Sequence, residues 1–454
     1  MLQPQPNYLW HARASLLLGL PLIGGYLAQF AIGLTDAVML GWYGVDALAA
    51  VTLAGTYLYV FFLLGAGFAL AIMPMVAAYD AAGDQVGVRR STRMGLWLSV
   101  VFSTAAIPLL WWSKPLLILL GQAPEIAQAA QDYLRIAGWS LFPMLNMMVL
   151  RSYLAALERA KVVLWMTVLS AVVNAIANYV LIFGYFGAPE LGLQGAAISS
   201  VITQTVALVG MAIYALRVLP QHTLFARIWR LDWEMARRVF RLGLPIGVTH
   251  LSEVSLFAAS ALMMGWLGTI ALAAHGIAVQ LASAAFMVHL GLSNVATIRV
   301  AQAFAQADKV FAVRAAIAVI ALSLVIAIST ILVFLLAPEY LVGAFLEQSD
   351  QARVEIIALG TALLAVAALF QLVDGSQVIA LGLLRGLQDT GVPMAIAGFS
   401  YIAVGIPASY LLGFSFGYGG IGIWLGLVIG LACAGCALMF RFWHKGLTIV
   451  GQSA

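Results

Sequence analysis

The sequence predicts an all-α membrane protein of twelve transmembrane helices arranged as two six-helix halves, and three observations carry that expectation. Hydrophobic residues make up 63% of the 454 and charged ones only 9%, against the roughly 25% charged residues of a soluble domain. The apolar residues fall into segments long enough for the ~20 residues that span a hydrocarbon core as a helix. The second half also repeats the first: residues 18–42, LGLPLIGGYLAQFAIGLTDAVMLGW, return as LGLPIGVTHLSEVSLFAASALMMGW at 242–266.

In chain order the first six segments are 14–40, 47–79, 92–121, 128–153, 162–187 and 194–217. The second six are 239–264, 270–305, 312–346, 352–384, 393–416 and 420–443. The first is too long for a signal-peptide core and lacks a convincing cleavage site, so it is expected to be retained. Basic residues gather in alternate loops: Arg89, Arg90 and Arg93, then Arg159 and Lys161, Arg227 to Arg241, Lys309 and Arg314, and finally Arg441 and Lys445. The opposite loops hold only Lys114, Arg135 and Arg353, beside Asp46, Glu125, Glu190, Glu339 and Asp350. The positive-inside rule then places both termini in the cytoplasm. The same short clusters account for the net charge of +4 without nucleic acid, since no basic surface interleaved with aromatics is present.

The repeat extends past its opening stretch. MLGWYGVDALAA from Met39 matches MMGWLGTIALAA from Met263, and 67–84 aligns loosely with 291–308, both runs ending in aspartate. LAALERAKVV from Leu154 pairs with LRGLQDTGVP from Leu384, and LGLQGAAIS from Leu191 with IGIWLGLVI from Ile421. Each half holds an even number of helices, so the halves enter the membrane in the same sense, a parallel repeat about the membrane normal. The expected domains are a bundle at 1–218, a cytoplasmic linker at 219–232 and a second bundle at 233–454.

Carboxylates inside such segments are costly, which makes each a candidate functional group. Three stand out: Asp36, Glu253 and Asp374. Glu253 shares a helix face with Thr249, His250, Phe257 and Ser260, and Asp374 lies in a stripe with Gln371, Gln377 and Arg385. A buried acid that only holds helices together is the competing explanation for Glu253 and Asp374, and a solvated helix end for Asp36. Asn174 and Asn178 put two amides on one face, one turn apart. Hydrogen bonding explains His275 and His289 better than a ligand role, and snorkelling accounts for Arg151 and Arg299 near helix ends. Pro21 and Pro245, equivalent in the repeat, should kink or start their helices. Cys433 and Cys436 read as small packed side chains. No nucleophile and base pair, phosphate-binding glycine loop or metal-ligand cluster is present, so the chain is not expected to be an enzyme and needs no cofactor. An ion gradient is then the energy source left to it.

TDAVMLG at Thr35, NAIANYVLIFGYFGAPELGLQG at Asn174, FRLGLPIGVTHLSEVSLF at Phe240, GTIALAAHGIAVQ at Gly268 and DGSQVIALGLLRGLQDT at Asp374 together carry a resemblance. The chain resembles the multidrug and toxic compound extrusion (MATE) family, most closely its NorM-like branch, over nearly its whole length. The resemblance implies a V-shaped pair of six-helix bundles in a bacterial inner membrane, working as a monomer. It implies multidrug efflux antiport, in which small cationic amphipathic compounds leave in exchange for Na+ or H+. It also implies a cation site, able to take Na+, at Glu253 and Asp374, and an N-terminal cation or drug site at Asp36, Asn174 and Asn178. Thr249, Phe257, Gln371, Gln377 and Gln29 would support these sites, Gln29 being the repeat counterpart of Glu253. Some relatives carry a further aspartate in the fifth helix that this chain lacks.

A carboxylate in a low-dielectric cavity seeks a counter-cation, so ion and cationic drug should compete for it. Membrane lipid is the expected surrounding partner. The alternative is a lipid-linked saccharide flippase of related architecture, but an anionic pyrophosphate calls for basic residues at membrane depth, where this chain is mostly acidic.

Overall fold

The computed structural model describes residues 7–43, 45–348 and 351–450. Asp350 and the side chain of Asp46, two acids assigned above to the outer face, lie outside it. Twelve elements follow the order expected from the sequence: α1 (Tyr8–Tyr43), α2 (Val45–Ala81), α3 (Gln85–Trp111), α4, α5 (Ala160–Phe183) and α6 (Gly192–Val218) in the first half. The second half holds α7 (Trp233–Trp266), α8 (Thr269–Ala305), α9 (Lys309–Leu336), α10 (Arg353–Gly386), α11 (Gly391–Ser415) and α12 (Gly419–Arg441). Eleven helices among the described residues are long and apolar enough to cross a membrane. The remaining span, α4, is broken: helices Pro124–Ala137 and Leu141–Ala156 are joined by a tighter turn at Gly138–Ser140. With this element counted, the observed architecture matches the twelve-helix expectation.

The repeat is visible in the backbone. Asp84 caps α3 by accepting from the Gly87 amide at 2.8 Å, and its counterpart Asp308 caps α9 through the Phe311 amide, also at 2.8 Å. Each cap satisfies an amide that the first helical turn leaves unpaired. This explains why the two aligned segments end in aspartate. Glu158 and Gln388, likewise paired by the repeat, both take left-handed conformations with φ of 59° and 58°. In each turn the next amide bonds back to an aligned leucine carbonyl, Arg159 to Leu154 at 2.8 Å and Asp389 to Leu384 at 3.0 Å.

Packing divides the chain into two compact units, one of Gly24–Gly247 and the other of Met1–Ile23 with Val248–Ala454. Both borders fall just after a proline, Pro21 in α1 and Pro245 in α7, and both prolines lie inside continuous helices, so neither starts one. Each unit is joined at its crossing helix by glycine. In the first, a Cβ on Gly67 of α2 would sit 2.9 Å from the Cα of Gly247 on α7. In the second, the equivalent Gly291 of α8 faces Ile23 of α1, with the backbone nitrogen 3.0 Å from where a Cβ would stand. Small residues let helix backbones approach closely in lipid, where no hydrophobic force draws helices together. The same device joins α8 to α10: Ser293 donates to the Val378 carbonyl at 2.7 Å and Thr297 to the Gly382 carbonyl at 2.9 Å.

Two expectations are corrected. Arg151 and Arg299 do not snorkel: they are 7% and 8% exposed, and lie over the rings of Tyr26 at 4.1 Å and Trp10 at 5.6 Å. An aromatic face supplies the electrostatic partner that water would have supplied at the helix end. Cys433 and Cys436 are exposed on α12 rather than packed, because their shared face points away from the unit's interior. The linker is tied to the first unit by Arg90, which donates to Asp232 at 2.5 Å and to Glu234 at 3.2 Å.

The glycine contact leads to a first expectation. Gly67→Ala drives a methyl into the backbone of α7 and should destabilise the protein by roughly 1–3 kcal/mol, whereas Gly55→Ala, with nothing within 4 Å, should leave the melting temperature in detergent unchanged. Equal melting temperatures for the two variants would remove the close-approach explanation. The linker pair sets a pH dependence. The Arg90 guanidinium, helped by the Met235 amide, holds the Asp232 carboxyl below its usual range against the opposing effect of burial. The stability it contributes is therefore present at neutral pH and lost as pH falls below the ordinary aspartate value of about 4. Because the Arg90 side chain is 36% exposed, the contribution should stay under about 1 kcal/mol. The melting-temperature gap between the protein and Asp232→Asn should close on acidification.

Candidate functional site

Each unit collects one of the clusters expected from the sequence. In the unit spanning Gly24–Gly247, Asp36 on α1 meets the two amides of α5. Asn174 Nδ2 and Asn178 Nδ2 both donate to Asp36 Oδ1, at 2.9 and 2.5 Å. The amides are bonded to each other as well, Asn178 Nδ2 donating to Asn174 Oδ1 at 3.4 Å. Both asparagines are 1% exposed, and Asn178 Oδ1 has no partner. Asp36 is half-buried, so the cluster is a carboxyl group oriented by amide donors, and no salt bridge supplies it with a cation among the described residues. Gln29, two turns earlier on α1 and half-buried, makes none of these bonds.

In the other unit Glu253 on α7 and Asp374 on α10 are 7% and 2% exposed. Around Asp374 the α10 face leaves several acceptors open. Gln371 spends its Nε2 on the Ala282 carbonyl at 3.3 Å, and Gln377 spends its Nε2 on the Tyr401 hydroxyl. Gln371 Oε1, Asp374 Oδ1 and Gln377 Oε1 are then all buried without a hydrogen-bond partner. Buried polar atoms are nearly always paired, and three acceptors left open along two turns form a set that a proton, a metal cation, an organic cation or a hydrogen-bond donor such as water would satisfy. Oxygen donors of this kind suit hard cations.

Glu253 is approached from one turn earlier on its own helix, with His250 Nδ1 3.7 Å from its Oε2. The other ring nitrogen, Nε2, lies 3.1 Å from Arg385 Nη2. A guanidinium can only donate, so Nε2 is the acceptor and the ring proton of a neutral imidazole sits on Nδ1, facing the glutamate. An aromatic wall stands beside the carboxylates: Phe257 meets Phe370 edge to face at 5.9 Å, and Phe370 meets Trp424 in the same way at 5.6 Å. Trp424 Nε1 donates to His275 Nδ1 at 3.1 Å, and His289 Nδ1 pairs with Ser323 at 2.9 Å, so both histidines make the hydrogen bonds expected of them. Thr249 is 3% exposed on the same helix as Glu253.

Two features were not drawn into the site from sequence. His250 and Arg385 are visible as members of helical stripes, but only the packing of α7 on α10 joins them. Tyr401 gives no periodic signal at all. It lies where α11 widens into a π-helical turn, Phe399–Gly405, a local irregularity frequent at functional sites.

The N-terminal cluster can be tested on its own. In a double-mutant cycle, Asp36→Asn and Asn178→Ala should couple by about 1–2 kcal/mol in thermal or denaturant unfolding. Additive effects would mean that the bond contributes nothing to the fold.

A family model described as MatE matches residues 21–180 and 245–411, one segment in each half. A probable multidrug resistance protein NorM of Rhizobium meliloti is 47% identical over 96% of this chain and 93% of its own length. The protein of the same name in Agrobacterium fabrum is 42% identical over 95% and 93%. Among solved structures, the eukaryotic MATE transporter AtDTX14 superposes with a TM-score of 0.88, covering 98% of each chain at 18% identity. A MOP superfamily transporter from Pyrococcus furiosus, described by a reverse polarity of its binding pocket that suggests a different function, superposes with a TM-score of 0.86 over 97% of each chain at 18% identity. With a family model spread over both halves of the repeat and relatives of this identity along almost the entire sequence, the chain belongs to the MatE family.

Proposed function

We propose that this protein is a multidrug efflux antiporter that exports small cationic, amphipathic compounds in exchange for sodium ions or protons. The observation that supports this most directly is the set of open acceptors on α10, Gln371 Oε1, Asp374 Oδ1 and Gln377 Oε1, close-packed in a multi-pass membrane protein. An acidic group in so dry a place is costly unless a cation accompanies it. The coupling ion is then cargo: it enters from the outer face, is held at Glu253 and Asp374, and leaves to the cytoplasm. Phe257 and Phe370 would offer aromatic faces to an organic cation. Asp36 with Asn174 and Asn178 would serve as a second cation or drug site in the other unit. The names of the curated relatives support the drug side of the exchange.

A shared fold does not by itself decide the cargo, as the Pyrococcus furiosus transporter illustrates, so the sign of the charge in each unit has to. Asp36, Glu253 and Asp374 favour cationic cargo over the anionic headgroup of a lipid-linked saccharide. The alternate loops rich in Lys and Arg support an orientation with both termini in the cytoplasm of a bacterial inner membrane.

Proteoliposomes carrying the purified protein test this. Ethidium efflux should be driven either by a sodium gradient with pH clamped or by a pH gradient without sodium, and Glu253→Gln and Asp374→Asn should each lower it at least about tenfold, equivalent to ~1.4 kcal/mol of lost interaction. Transport in neither condition would overturn the antiporter assignment. Full gradient-driven efflux by both variants would overturn the ion site.

A further inference from the structure

We propose that a basic cavity at the start of α3 holds the phosphate headgroup of an anionic phospholipid from the cytoplasmic leaflet. The cavity has a volume of about 680 Å³, within the range of small-molecule sites. Its wall brings together five arginines, Arg89, Arg90 and Arg93 from α3 with Arg227 and Arg230 from the linker, and one acid, Asp232. All of these residues belong to the Gly24–Gly247 unit.

Internal pairing leaves most of this charge uncompensated. Asp232 is used by Arg90. Arg89 donates to the neutral Thr223 hydroxyl at 2.6 Å, and Arg93 to the carbonyls of Ala226 and Arg227 at 3.3 and 3.2 Å. Among the described residues, no carboxylate pairs with Arg89, Arg93, Arg227 or Arg230. Arg93 is the informative one: it is 7% exposed, and its Nε is buried with no acceptor. A guanidinium held that deep with an open donor calls for an anion. The cavity is also built rather than incidental, because Trp97 Nε1 donates to the Ile228 carbonyl at 2.6 Å and fixes the linker over α3.

The surroundings select a lipid among phosphate-bearing ligands. Trp229 and Trp233 are 75% and 78% exposed and Leu231 is 45% exposed, next to arginines on the same short segment. Tryptophan beside arginine at the end of a spanning helix is the composition of a membrane interface. The loops before α3 and α7 follow an even number of spans, so they lie on one side of the membrane, the side to which the basic loops assign the cytoplasm. Anionic lipids of that leaflet present phosphates at the depth of helix ends, and each nearby arginine strengthens their binding. Soluble phosphate would make no use of the tryptophan rim.

Native mass spectrometry of the full-length protein in detergent, with added phosphatidylglycerol, phosphatidylcholine or inorganic phosphate, tests the proposal. The protein should retain one phosphatidylglycerol with about tenfold preference over phosphatidylcholine, and millimolar phosphate should not displace it. Arg227→Gln/Arg230→Gln, which spares the residues that hold the linker, should weaken retention at least fivefold (about 1 kcal/mol) at an unchanged melting temperature. Arg227→Lys/Arg230→Lys should restore most of it. Arg237→Gln/Arg241→Gln, on exposed residues outside the cavity, should leave it unchanged. Equal retention of the two lipids, displacement by phosphate, or an equal loss in the Arg237 and Arg241 variant would each overturn the site.

Discussion

Lipid offers no hydrogen bonds, and every polar group that this chain carries below the headgroups has to find its partner in the chain itself. The backbone meets that demand by being helical. Most hydroxyls meet it locally, as Thr167 does by bonding to the Val163 carbonyl and Ser252 to the Val248 carbonyl one turn back. Carboxylates cannot do so, because an ionised acid only accepts. Asp36 therefore takes its donors from a second helix, α5. Asp374 and its neighbouring glutamines recruit fewer donors, leaving three buried oxygens open, and it is on this shortfall that the proposed ion site rests.

The two halves illustrate how a duplicated backbone can carry unlike chemistry. The features retained by both copies are those that close turns and let helices touch: the caps at Asp84 and Asp308, the left-handed residues Glu158 and Gln388, the close approaches at Gly67 and Gly291. Each of these is a backbone requirement that few side chains can meet. The acids are under no such constraint, and the repeat sets Glu253 against Gln29 rather than Asp36. To its cluster α5 contributes two amides, whereas α11 contributes a tyrosine from a π-helical turn.

The spans, the repeat and the three acids are legible in the sequence because each depends on local pattern: runs of apolar residues, colinear matches and charges isolated in such runs. The break in α4 at Gly138–Ser140 is not, since a glycine and a serine inside such a segment are equally common in unbroken membrane helices. The buried stacking of Arg151 on Tyr26 is hidden for another reason. A cation near a helix end has the same sequence signature whether it reaches water or an aromatic ring. Asp36 with Asn174 and Asn178 could be grouped only through family resemblance, because residues on distant helices have no spacing to betray them. The exchange of helix ends between the two units, with the first turns of α1 and α7 each packed in the unit of the other half, also has no local signal.

The distinction between the two acidic clusters bears on the proposed exchange. Amide donors orient a carboxylate and lower the cost of burying it, but they leave its charge in place. Asp36 is only half-buried, so keeping that charge costs it less. Asp374, almost fully enclosed and with an oxygen unsatisfied, has no such recourse, so on the proposed mechanism its occupancy by a cation is closer to obligatory. A site that is costly when empty enforces exchange: one cation leaves only as another arrives, which is the requirement of an antiporter. A site that tolerates being empty suits a cargo of variable shape. The division of labour between an ion site in one unit and a more permissive cation site in the other would then follow from burial alone, with the same acidic chemistry in both.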